Sequence, residues 1–96
     1  MVLNYNPERR SYMSQWDKLL EKIKSLSKDV RFNELRKILE YYGYKMNEPR
    51  SGSSHYSFRK PGHNPITVPK HEPIKTVYVK LVKAIIESGE DSENNR

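Results

Sequence analysis

Between Tyr44 and Pro69 the chain abandons a helical repeat for a period of two, and that switch commits it to a small sheet between helices. His55 to Arg59 alternates, with Tyr56 and Phe58 directed one way and His55, Ser57 and Arg59 the other, as a half-buried strand requires. Ile66-Thr67-Val68 is β-branched and is stopped by Pro69, and Tyr44 to Glu48 is a short third strand candidate. Turn chemistry separates the three. Pro49 to Ser54 is rich in Gly and Ser, and Pro61-Gly62-His63-Asn64-Pro65 is a turn cluster. Three short strands joined by turns predict an antiparallel meander.

Helical spacing surrounds this segment. Trp16, Leu19, Leu20, Ile23 and Leu26 recur on one face, with Ser14 as a fitting N-cap. Ser27 to Arg31 breaks the pattern. Leu35, Ile38, Leu39 and Tyr42 then mark a helix starting near Asn33, with Gly43 at a position suited to a left-handed stop. A last helix is expected to open at Glu72-Pro73, to bury Ile74, Val77, Tyr78, Leu81 and Ile85, and to end at Gly89. Residues 1–13 read as a polar lead-in, and Glu90 to Arg96 as an acidic tail with nothing to bury. No internal repeat is visible. The expected organisation is an N-terminal extension over 1–30 with one amphipathic helix, a domain over 31–88, and a disordered tail over 89–96. The fold class is α+β: a three-stranded antiparallel sheet backed by two helices, plus an additional N-terminal helix.

Ninety-six residues with a hydrophobic fraction of 34% support one small domain with a modest core. Such a chain is suited to a surface groove for a polymeric partner rather than to a deep substrate cavity. The net charge of +6 favours an anionic partner. The positive charge gathers in residues 44–71, where Lys45, Arg50, Arg59, Lys60 and Lys70 face one acid, Glu48, and where His55, His63 and His71 also lie. The absence of cysteine removes disulfides, thiolate nucleophiles and thiolate zinc sites. Neither a signal peptide nor a run of about 20 apolar residues is present, so no membrane partner and a cytoplasmic location are expected.

The stretch Arg50-Ser51-Gly52-Ser53-Ser54-His55-Tyr56-Ser57-Phe58-Arg59-Lys60 combines three properties. Small residues let a polymer backbone approach, cations neutralise its phosphates, and an imidazole with an intrinsic pKa of about 6.5 moves protons near neutrality. RNA carries its own nucleophile, the 2′-hydroxyl. This combination therefore suits metal-free RNA cleavage, with His55 as acid or base. Arg50, Arg59 and Lys60 would hold phosphate, with Lys45 and Lys70 on the same basic segment, and Ser54 would orient a phosphate oxygen or the imidazole. No cofactor is called for. A metal site built on His55, His63 and His71 is disfavoured, because the three lie in different connections without a carboxylate cluster. His63 reads as an exposed turn residue, and His71 as a helix-start or loop residue that also suits contact with RNA.

The helix Asn33-Glu34-Leu35-Arg36-Lys37-Ile38-Leu39-Glu40 ending in Tyr42-Gly43-Tyr44, the segment Gly52-Ser53-Ser54-His55-Tyr56-Ser57-Phe58-Arg59, and Ile66-Thr67-Val68-Pro69-Lys70-His71 together resemble the HicA family of bacterial toxins. The resemblance covers roughly residues 32–86. It implies a double-stranded-RNA-binding-like α-β-β-β-α fold, ribonuclease action on mRNA, a HicB-like antitoxin partner, and a catalytic role for His55. The common family pattern is Gly-Ser-His. Aligned through Phe58, Ser53 takes the usual glycine position here and Gly52 stands one residue earlier. Two rival readings of the same residues remain: a non-catalytic RNA-binding module, and a protein-interaction domain whose cations bind an acidic partner.

Overall fold

The structure, a computed structural model, describes residues 14–49 and 52–94, with side chains described as far as Gly89. Its elements run α1 (Gln15–Lys24), α2 (Phe32–Tyr41), β1 (Lys45–Asn47), β2 (His55–Arg59), β3 (Ile66–Pro69) and α3 (Thr76–Asn94). The strands form an antiparallel meander in the order β1-β2-β3. The register sets Met46 against Phe58, Tyr56 against Val68 and Phe58 against Ile66, so these side chains share the helix-covered face. The predicted α+β class, with its three-stranded sheet and added N-terminal helix, is the observed one.

The Ser14 hydroxyl caps α1 by accepting from the Asp17 N–H at 3.0 Å. Leu19 and Ile23 enter the common core, which also contains Val30, Phe32, Leu35, Ile38, Leu39, Tyr44, Phe58, Val68, Ile74, Val79, Val82 and Ile86. Helix α1 lies against α3 and is tied to α2 by Lys22, whose ammonium donates to both Glu34 oxygens at 2.8 and 3.1 Å. Partial burial works to raise the Glu34 pKa. The hydrogen bonds from Lys22 and from the Arg31 N–H, with the charges of Lys22 and Arg31, outweigh it and leave the carboxyl below its usual range. Trp16, partly buried against the core, brings α1 to the end of α2, its ring 4.7 Å from that of Tyr41.

The last helix differs from expectation in three respects. It starts at Thr76, because the residues around Pro73 are committed elsewhere: the Ile74 N–H donates to the Val30 carbonyl at 2.8 Å, and the Glu72 carboxylate reaches the start of α2. Its buried stripe is Val79, Val82 and Ile86 rather than Val77 and Leu81, which are 58% and 47% exposed; Tyr78 and Ile85 are half-buried. It also passes through Gly89 and continues to Asn94, where the sequence suggested a stop followed by a tail. Gly89 serves packing instead: a Cβ there would stand 2.7 Å from Cε1 of Tyr42. No helix among the described residues is long and apolar enough to cross a membrane.

Candidate functional site

Among the described residues no polar or charged residue is buried, so any polar chemistry belongs to the surface. Alternation along β2 turns Phe58 into the core and sends His55, Ser57 and Arg59 to the opposite face. His55 begins the strand and is exposed. Its approach is built by Gly52, whose φ of +87° is the left-handed conformation that a β-carbon disfavours, and by Ser53, whose hydroxyl accepts from the His55 N–H at 3.2 Å. The glycine standing one residue earlier than the common pattern is therefore the one that makes the turn.

Ser54 is held from the other side. Its carbonyl accepts from the Lys70 N–H at 2.7 Å, just beyond the ladder that pairs His55 with Pro69. The chain then folds back, with the His71 N–H donating to the Pro69 carbonyl at 2.8 Å. An open pocket of about 340 Å³ results, lined by Ser54, His55, Pro69, His71, Lys75 and Tyr78. Lys75 and Tyr78 were not among the residues singled out from sequence as site residues. No local sequence signal marks them: the register that sets Pro69 opposite His55 places His71 two residues past it, and the chain that follows brings Lys75 and Tyr78 in.

The cations expected beside His55 are dispersed. Arg59 ends β2, four residues or about 13 Å along an extended strand from His55. It pairs across the ladder with Lys45, and both are exposed on the face away from the helices. Lys60 lies over the Tyr44 ring, its ammonium 5.6 Å from the centroid, and its stem runs past Gly43, whose φ is +97°. The Lys70 ammonium stands 5.6 Å from the Phe32 ring centroid and 5.7 Å from that of Tyr56. Arg50 lies outside the described residues. His63 is exposed in its turn with its ring 6.3 Å from Tyr44, far along the sheet from the His55 pocket. Among the described residues no three His, Cys, Asp or Glu side chains stand close enough to hold a metal ion. Tyr44 is 6% exposed and Tyr41 65% exposed, while Tyr42 and Tyr56 are half-buried.

Comparison with protein families matches residues 32–89 to the HicA toxin of bacterial toxin–antitoxin systems. Comparisons with curated proteins and with solved structures return no significant match. The matched span takes in α2, the whole sheet and α3 up to Gly89, and leaves α1 outside. More than half of the chain is thus covered, and the protein belongs to the HicA toxin family, the toxin component of bacterial toxin–antitoxin systems.

Proposed function

We propose that the chain is a metal-independent endoribonuclease that cleaves mRNA in the cytoplasm, with His55 as its acid or base, and that a HicB-like antitoxin neutralises it. The observation that carries the reading is the placement of an exposed imidazole at the mouth of β2, beside Ser54 in an open pocket, in a chain of this toxin family. The reaction needs a proton taken from the 2′-hydroxyl, charge stabilised on the phosphorane, and a proton given to the leaving oxygen. His55 moves a proton, and Ser54 orients a phosphate oxygen or the imidazole.

The separated cations suit a track for the polymer rather than a clamp on one phosphate. Lys45 and Arg59 stand directly opposite each other, an arrangement that destabilises a sheet unless an anion lies across it. A phosphate of the RNA, or an acidic side chain of the antitoxin, meets that need. Lys60 flanks this pair, Lys70 lies next to the His55 end, and Arg50 remains a phosphate contact on sequence grounds.

The test is His55→Ala. Cleavage of a transcribed mRNA in the presence of chelator is expected to vanish, while the thermal melt and binding of a HicB-like antitoxin persist. A folded His55→Ala variant that still cuts would overturn the role of His55. Parental protein that binds RNA at low salt without cutting it would leave a binding module.

A further inference from the structure

A lone imidazole performs one proton transfer at a time, whereas cleavage of an RNA phosphodiester needs a base on one side of phosphorus and an acid on the other. The pocket that holds His55 holds a second imidazole. His71 and Lys75 reach it from the connection between β3 and α3, and Tyr78 from the first turn of α3. These three groups lie far apart in sequence from His55 and meet it through the fold alone.

Resting on the nuclease reading above, we propose that His71 is the second proton-transfer group of the reaction, working across the pocket from His55, and that Lys75 is the cation that holds the scissile phosphate between them. The 2′-oxygen forms a bond to phosphorus as the bond from phosphorus to the 5′-oxygen breaks. One imidazole takes the 2′-hydroxyl proton. The other enters protonated and gives its proton to the departing 5′-oxygen. The products are a 2′,3′-cyclic phosphate and a 5′-hydroxyl, and no co-reactant is consumed. Lys75 supplies positive charge where the phosphorane accumulates negative charge, a task that the dispersed Arg59 and Lys60 do not reach.

The surroundings of His71 fit the role. The groups that line the pocket with it are His55 from β2, Lys75 from the residue before α3, and Tyr78 from the first turn of α3. Its neighbours on its own connection are Lys70, placed over Phe32 and Tyr56, and Glu72, engaged with the Phe32 N–H and with Arg31. His71 is exposed and bonds to Pro69 through its backbone, so replacing its side chain leaves that turn in place.

The experiment compares the parent, His55→Ala, His71→Gln and Lys75→Met on a 5′-labelled transcribed mRNA, with thermal melts confirming folding. His71→Gln is expected to lower kcat by about 10²–10⁴-fold and to remove one limb of a two-limbed pH–rate profile. Lys75→Met is expected to lower kcat and to reduce the salt slope of RNA binding by about 0.7. Parental rate and both limbs retained in His71→Gln, beside an inactive His55→Ala, would overturn the second proton-transfer group alone. An active His55→Ala would overturn the role of His55 and this inference together, and a parent that binds the transcript without cutting it would overturn the nuclease reading itself. The parent gives an independent check: a one-limbed profile, or products lacking the cyclic phosphate, would also overturn it.

Discussion

Glu72 reaches forty residues back to accept the Phe32 N–H at 2.8 Å, so a carboxylate next to His71 caps the first turn of α2. The Arg31 guanidinium adds a contact at 3.4 Å. One side chain thereby fixes a helix start and anchors the connection that carries His71 into its pocket.

This contact sets an acid sensitivity. The hydrogen bond from Phe32, and then Arg31, hold Glu72 below its usual carboxylate range. Above about pH 4.3 the group is ionised in both folded and unfolded chains, and its stabilisation is complete. As pH falls the unfolded chain takes up the proton first, and the benefit is lost once pH drops through the lower folded value. Glu34 behaves in the same direction. Melting temperature of the parent should decline below about pH 4.3. Glu72→Gln should melt lower at neutral pH and decline less steeply; curves that stay parallel throughout would refute the linkage.

Helix α1 lies outside the matched family span, yet Ile23 is wholly buried in the shared core. Ile23→Ala should cost about 2–5 kcal/mol by urea unfolding. That is a large share of the roughly 5–15 kcal/mol that a domain has. A loss below about 0.5 kcal/mol, the scale of surface substitutions, would mean that α1 is an appendage.

Gly89→Ala should be destabilising although it lies within a helix, where the same change ordinarily gains about 1 kcal/mol. The new methyl group would press on Tyr42, whose ring is also packed against Tyr41. In a Tyr42→Ala background the substitution should revert to stabilising. Thermal melts of the four-member cycle decide the matter.

Binding of single-stranded RNA by the His55→Ala variant should weaken with salt along a log–log slope of about −3, for four phosphate contacts. Replacing Lys45 and Arg59 together with glutamine should bring the slope to about −1.6, since each removed contact subtracts about 0.7. An unchanged slope would place the RNA elsewhere on the surface.

The order of elements was legible because each local signal agreed with the fold: Ser14 before α1, Gly43 after α2, and alternation from His55 to Arg59. The face of α3 was not. That helix is apolar at Val77, Val79, Leu81, Val82, Ile85 and Ile86, and it packs against both α1 and α2, so its periodicity admits more than one stripe. At the candidate site, the placement of His55 beside Ser54 at the start of β2 was readable because that setting is local. Arg59 and Lys60 looked close to His55 in sequence, but an extended strand separates its ends. Lys75 and Tyr78 look distant in sequence, but the return of the chain after β3 brings them in.

Trp16, the single tryptophan of the chain, stacks near Tyr41 at the junction of α1 and α2. Its indole emission is therefore a built-in, label-free gauge of whether the N-terminal helix is seated, readable during unfolding or while the antitoxin is titrated in.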